Sequence, residues 1–436
     1  MPAQIEQTKY SPEYTPEYKI FMYGFLPPAE HDKILDTQAR FDADPRPKKI
    51  NAGIGVINDD QGRLWIPRAV KSARRRVENK LNSGKIDHNY MVPSGKLGWG
   101  GNPAFIRGTA KLVFGEYAYE LLASDRIAAT GTVGGSGAVS TFLDGLIERK
   151  KNGKPVPSII YGSQPYPNHK WMIDTRGLKS KTFGQIKEDG SYNLEDTLKA
   201  INKAKPGSVL LLQGGAHNPT GINPETEKQW RKIAKAAKRA KIGAFFDIPY
   251  AGLHQGLEED TRPLRIFMAE NVPAVVAVSY SKNAGLYGER VGALLIPAAS
   301  TREAQRVGGV LNRSMRKTVS SPSAIGEAIL AEIFTDPLLF AKWKNDLKRV
   351  AQMLRHRREL LAQALPENIA PNVRKGAGIF STIPISEKAV KFLRSKHKIY
   401  VLENGRINIG GIPTDQIPRF AQALNFALQK YPVTTK

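Results

Sequence analysis

Short, nearly unbroken apolar runs alternate with helix-period stretches through the middle of the chain. Arg126–Ala129, Ser158–Tyr161, Ser208–Leu212, Ile242–Phe246, Pro273–Val278 and Val291–Ile296 read as strands. Phe142, Leu143, Leu146 and Ile147 recur at helical spacing and predict a helix over Ala138–Arg149. A second helix is expected to open with Pro224 in its first turn and to run to Arg239. Strands that are apolar on both faces, separated by helices, predict an α/β fold with a mainly parallel sheet covered on both sides. After about Pro322 the pattern changes. A long amphipathic helix over Pro337–Leu365 is followed by strand-like pieces at Ile379–Ile383 and Arg406–Ile409. A closing helix is expected over Asp415–Gln429. These elements predict a second, smaller α+β domain, which the stretch before Pro67 is expected to join.

The composition narrows the class. Of 436 residues, 41% are hydrophobic, enough for a sizeable core, so wholesale disorder is excluded. There is no cysteine, which excludes disulfides, thiolate metal sites and a thiol nucleophile and fits a reducing cytoplasm. Lys and Arg number 65 against 40 Asp and Glu, a net charge of +25. The excess is spread over helical stretches such as Arg74–Lys80, Arg231–Lys241 and Lys342–Arg358. It reads as solvated basic faces that concentrate small anionic substrates, not as a specific nucleic-acid module. No apolar run reaches the roughly 18–20 residues of a membrane span. Met1–Tyr18 lacks the basic start and apolar stretch of a signal peptide. A cytoplasmic protein with no membrane or nucleic-acid partner and no metal is expected.

In a parallel α/β sheet, ligands gather at the carboxyl ends of the strands. After the first run comes Gly134-Gly135-Ser136-Gly137 at a helix start, either a phosphate cradle or a plain tight turn. His217-Asn218-Pro219-Thr220-Gly221 follows the third run, and Asp247-Ile248-Pro249-Tyr250 the fourth. Ser279-Tyr280-Ser281-Lys282-Asn283 follows the fifth, with Arg290 shortly beyond. Singly, a lysine or aspartate at a strand end is an ordinary solvated or capping residue. Together they offer a lysine whose cationic neighbours lower its pKa, an acid that could face a protonated nitrogen, and an arginine with hydroxyls for a phosphate.

At these residues the chain resembles the class I pyridoxal-phosphate aminotransferases of fold type I, in the aspartate and aromatic amino-acid branch. The carrying segments are Asn51–Val56, Gly134–Gly137, Pro165–His169, His217–Ile222, Asp247–Tyr250, Ser279–Gly292 and Gly405–Ile409, in the family's order across about residues 20–430. The resemblance implies a seven-stranded sheet in a large domain at 68–348. It also implies a small domain from 20–67 and 349–436, with 1–19 as an N-terminal arm. It implies pyridoxal 5'-phosphate covalently bound to Lys282, which would also move the proton at the substrate α-carbon. Asp247 would face the ring nitrogen, Tyr250 and Asn218 the ring oxygen, and Tyr166 would stack on the ring. Gly135, Ser136, Ser279, Ser281 and Arg290 would hold the phosphate. Tyr90 would reach the phosphate of a neighbouring subunit, so a homodimer with shared active sites is implied. Arg406 would take the substrate α-carboxylate, with Gly55 lining the same entrance.

Substrate choice follows from departures. Arg316 falls in register with the family's second arginine, contributed by the partner subunit to a distal carboxylate. Tyr166 stands where aspartate enzymes carry Trp, and Gln213 where a His supports the ring-binding acid. Ile57 and Leu64 suggest an apolar entrance, and Ser136 and Ser321 are small residues seen in aromatic-accepting relatives. The expected reaction moves an amino group between an L-amino acid (aspartate or glutamate, aromatic, or both) and a 2-oxo acid such as 2-oxoglutarate, by a ping-pong route. A lyase or decarboxylase of the same fold is the alternative, and Lys282 would serve it too.

Overall fold

In the computed structural model, residues 32–93, 98–151 and 153–433 are described. The expected arm at 1–19, and residues 20–31 of the expected small-domain segment, lie outside them. Seven strands form the main sheet: β1 (Ile127–Val133), β2 (Ile159–Gly162), β3 (Ser180–Phe183), β4 (Val209–Gln213), β5 (Gly243–Ile248), β6 (Ala274–Ser279) and β7 (Val291–Pro297). Their order is β1-β7-β6-β5-β4-β2-β3. Only β7 runs antiparallel to its neighbours β1 and β6. The remaining pairs are parallel.

Successive strand residues point to opposite faces, and here both faces are covered. Leu210, Leu212, Phe246, Ile248, Val276 and Val278 enter one core. Val209, Leu211, Phe245 and Ala277 enter a second on the other face, with Val139, Phe142 and Leu143 of the helix Gly134–Lys151. This is why the runs are apolar without alternation. β3 escaped the sequence reading because it is an edge strand with three exposed residues and no apolar run.

Two helix starts differ from expectation by about a turn. The helix expected over Ala138–Arg149 begins at Gly134, so the glycine run is its first turn and not a loop before it. The helix expected from Pro224 begins at Glu227. Thr226 caps it: its hydroxyl accepts from Gln229 N, and Gln229 Oε1 accepts from Thr226 N, a reciprocal capping box that fixes the start past the proline.

A third core, apart from the sheet, is built from Ile50 and Ala52 with residues between Leu361 and Ala427. It is tied by Ile50–Asn51 pairing in parallel with Ile399–Tyr400, and by Phe380–Thr382 pairing antiparallel with Arg406–Asn408. The helix Pro337–Gln363 bridges the cores: Trp343, Leu347 and Leu354 pack on the sheet side and Leu361 and Ala362 in the third core. Among the described residues no helix is long and apolar enough to cross a membrane.

Candidate active site

The carboxyl ends of β1, β4, β5 and β6 open onto a cavity of about 230 Å³. Gly135 and Ser136 enter it from the helix after β1, Asn218 from the loop after β4, and Asp247 and Tyr250 from the end of β5 and beyond. Ser279 ends β6, Ser281 and Lys282 follow, and Arg290 precedes β7. Tyr166, at the N-cap of the helix Pro167–Asp174, forms one wall. Gly55, Phe380 and Arg406 close the cavity from the side of the third core. Twelve of the fourteen residues expected to act in catalysis or to bind cofactor or substrate therefore share one cleft.

Its charges are desolvated. Lys282 is fully enclosed, and burial, reinforced by Arg290 and Arg406 and opposed by Asp247, brings its amine down to about 8. About a tenth of the amine is then neutral at pH 7, against well under about a thousandth for an ordinary lysine, which makes it a more competent nucleophile and base. Burial also raises the pKa of Tyr250 and Tyr166, so both hydroxyls stay protonated donors. Asp247 Oδ2 lies 2.8 Å from His169 Nε2 and accepts from Gln213 Nε2 at 3.3 Å, while Oδ1 faces Gly135. Gln213 Oε1 in turn accepts from Asn218 N at 2.7 Å. One amide thus joins the acid to the asparagine.

The polar groups fit an anion at one end of the cleft. Ser279 Oγ donates to Ser281 Oγ at 3.3 Å, and Arg290 Nη1 donates to the same Ser281 oxygen at 3.3 Å. These hydroxyls and the guanidinium face the first turn of the Gly134–Lys151 helix, the end at which a helix favours negative charge. A Cβ on Gly134 would stand 2.4 Å from Arg290 Nη2, and its φ of +67° favours glycine. At the other end, Arg406 Nη2 donates to Gly53 O at 2.7 Å, and the guanidinium lies 4.2 Å above the Phe380 ring centroid. Arg406 Nε and Asn218 Oδ1 are buried with no hydrogen-bond partner. Unsatisfied buried groups of this kind are costly and mark a place for a ligand. A phosphate end, a central acid and lysine, and a carboxylate-binding arginine match the donor set pyridoxal phosphate and an amino acid need together.

Three expectations change, and these do not include Tyr90 and Arg316, which are expected in a neighbouring subunit's site and lie outside the cleft of their own chain. They share a separate, more apolar cavity of about 490 Å³ with Met91, Pro322, Ser320 and Ser321, where Tyr90 is 75% exposed and Arg316 Nη1 donates to Ser320 Oγ. Ser321 Oγ accepts from Met91 N there, so it does not shape the cleft either. Ile57 is wholly buried in the sheet-side core and Leu64 is 44% exposed, so neither lines the entrance. Apolar lining comes instead from Ile34, Val139, Met172 and Phe380. Finally, Gln213 does not support Asp247 alone, because His169 Nε2 lies 2.8 Å from the same carboxylate. His169 sits three residues past Tyr166 on one short helix, and that i, i+3 spacing was the signal that could have found it.

The family model for "Aminotransferase class I and II" matches residues 47–424. The chain is 32% identical over 419 residues to the cytoplasmic aspartate aminotransferase of Schizosaccharomyces pombe, covering 94% of this chain and 99% of that protein. It is 33% identical over 409 residues to the aspartate aminotransferase of Escherichia coli, covering 92% and 99%. Among solved structures, the aromatic-amino-acid aminotransferase of Burkholderia pseudomallei covalently bound to pyridoxal phosphate superposes with a TM-score of 0.84. It is 29% identical, and the match covers 93% of this chain and 99% of that one. The cytoplasmic aspartate aminotransferase of Giardia lamblia superposes with a TM-score of 0.85 at 26% identity, covering 95% and 100%.

Proposed function

The chain belongs to the class I and II aminotransferases, pyridoxal-phosphate-dependent enzymes of amino-group transfer, and we propose that it serves dicarboxylic and aromatic L-amino acids with a 2-oxo acid as acceptor. The observation that carries this reading is Arg406: 3% exposed, Nε unpartnered, and in the same cleft as a lysine brought to about 8. A buried guanidinium with free donors suits a bidentate carboxylate.

Pyridoxal phosphate supplies the electron sink that makes an amino acid's α-proton removable. The chain's part is binding, orientation and proton transfer. Ser136, Ser279, Ser281 and Arg290 would hold the phosphate, with Gly135 giving the backbone room. Asp247, held by His169 and Gln213, would face the ring nitrogen. Tyr250 and Asn218 would bind the ring oxygen, and Tyr166 would cover the ring. Arg406 would take the α-carboxylate beside Gly55, leaving Lys282 to move the proton at the α-carbon. Lys282 Nζ lies over the Tyr250 ring, 5.8 Å from its centroid.

The proposal includes a homodimer. Tyr90 and Arg316 lie together outside their own chain's cleft, which suits contribution to a partner's site. It also includes the domain division 68–348 against 20–67 with 349–436, for which the separate third core is the support. A cytoplasmic location is proposed with it, in keeping with the lack of cysteine.

Half-reactions on the purified holoenzyme test the substrate reading. Aspartate, glutamate, phenylalanine and tyrosine should each convert the cofactor to its amino form, read by absorbance, and 2-oxoglutarate should reverse it. A cofactor that binds but never converts would favour a lyase or decarboxylase. Arg316→Gln should lower kcat/KM for aspartate by roughly 10–100-fold, the worth of a charged hydrogen bond of about 1.5–3 kcal/mol, and barely change phenylalanine. Equal losses on both would show that Arg316 does not read a distal carboxylate.

A further inference from the structure

Arg358, on the Pro337–Gln363 helix, is 3% exposed and lies outside the cleft. Nη1 donates to Val373 O at 3.0 Å and Ser381 Oγ at 2.8 Å. Nη2 donates to Ala377 O at 2.8 Å, to Gly378 O at 3.0 Å and to Phe380 O. Nε donates to Gly378 O at 3.3 Å. The neighbouring acids are engaged elsewhere, Asp60 with Arg357 and Glu359 with Arg374. The segment 373–381 is therefore wrapped, carbonyls inward, around one cation. Glycine leaves room for the close approach at 376, where a Cβ would stand 2.6 Å from Arg358 Nη1.

That segment connects both ends of the site. Ala377 N donates to Gly221 O at 2.9 Å, three residues past Asn218. A Cβ on Gly378 would stand 2.6 Å from Ala216 Cβ. Phe380 carries Arg406 on its ring face at 4.2 Å and meets Tyr250 edge-on at 6.3 Å. The next strand residues pair directly with it, Thr382 opposite Arg406 and Phe380 opposite Asn408. Nothing but Gly53 O otherwise holds the Arg406 guanidinium by a hydrogen bond among the described residues.

We propose that Arg358 is a positioning residue for substrate binding: it fixes the 373–381 segment so that Phe380 presents Arg406 to the substrate α-carboxylate. This rests on the reading of Arg406 as the carboxylate site. Guanidinium is the one side-chain group with enough planar donors for this task. Lysine keeps the charge but offers three donors and no fork.

Calorimetric titration of the holoenzyme with succinate, a dicarboxylate that has no amino group to transfer, tests it. Arg358→Lys should weaken succinate about tenfold, with cofactor content unchanged. Gly376→Ala, which displaces the guanidinium without removing it, should weaken succinate in the same way and serves if the lysine variant does not fold. In a Phe380→Leu background the Arg358→Lys effect should shrink to about twofold or less, because both act through one contact. Additive losses, or lost thermal stability with unchanged succinate affinity, would overturn the proposal. Arg406→Lys separates the two readings. If it leaves succinate binding unchanged, the carboxylate assignment itself fails; if it weakens binding while Arg358→Lys and Gly376→Ala do not, only the positioning role fails.

Discussion

Lys282→Met is expected to abolish covalent attachment of the cofactor and to lower turnover by about 10⁴-fold or more. General acid–base groups alone contribute up to about that much, and in the proposed role the same amine would also anchor the cofactor. Mass spectrometry after borohydride reduction reads the attachment, and single-turnover absorbance reads the chemistry. Retained turnover would remove Lys282 from the site. The same variant has a second signature in the cofactor-free protein. Burial places the folded amine at about 8 against its ordinary 10.5. Between those values the unfolded chain binds more protons, so folding stability rises with pH there. Below about 8 the amine is charged in both states, and the full penalty of a buried cation is present, roughly 3 kcal/mol from a shift of this size. The methionine side chain fills similar space without the charge. Cofactor-free Lys282→Met should therefore melt higher than its parent at pH 7, and the gap should narrow as pH rises from 8 to 10.5. A gap that is flat with pH would mean that the lysine is solvated.

The chemistry at the strand ends was legible because each residue follows a strand that is buried on both faces. Leu210, Leu212, Phe246 and Val278 announce their strands by being apolar, and the residues just beyond them are then confined to one edge of one sheet. What stayed hidden depended on side-chain direction or on weak local signals. β3 has one buried residue in four, so no apolar run betrays it. Ile57 reads as an entrance residue only until its side chain is seen to turn into the core. His169 lies within a segment whose resemblance was noted, yet its contact with Asp247 joins residues 78 positions apart. Tyr90 and Arg316 could be matched to proposed roles in a partner subunit, but a role of that kind would leave no mark of its own within one chain. The carbonyl wrap around Arg358 was invisible for another reason. Its acceptors are backbone groups, which every residue carries, so no residue type signals it.

Asp247→Asn isolates the charge at the centre of the site and is expected to lower kcat by about 10²–10³-fold, the usual cost of removing one preorganised electrostatic contact. The substitution is close to isosteric, so the fold should survive. Gln213 Nε2 can still donate to an amide oxygen at position 247, and through Gln213 Oε1 the link to Asn218 N persists. On the proposed reading, what disappears is the acid facing the ring nitrogen, which would then lack the group that keeps it protonated. Asp247→Glu, which keeps the charge but moves it by one methylene, should recover part of the rate. A steric role would give the opposite order. The lysine reports the same change independently. Asp247 is the group that raises the Lys282 pKa, against burial, Arg290 and Arg406. Without it the amine of the cofactor-free protein must fall below about 8, and its reaction with an acylating reagent should reach half-maximal rate at a lower pH than in the parent. A midpoint that stays put while kcat falls would mean that Asp247 acts on the cofactor without sensing Lys282. A midpoint that falls while kcat holds would remove Asp247 from the chemistry. Loss of both together is the result expected when one buried carboxylate sets the charge for the whole cleft.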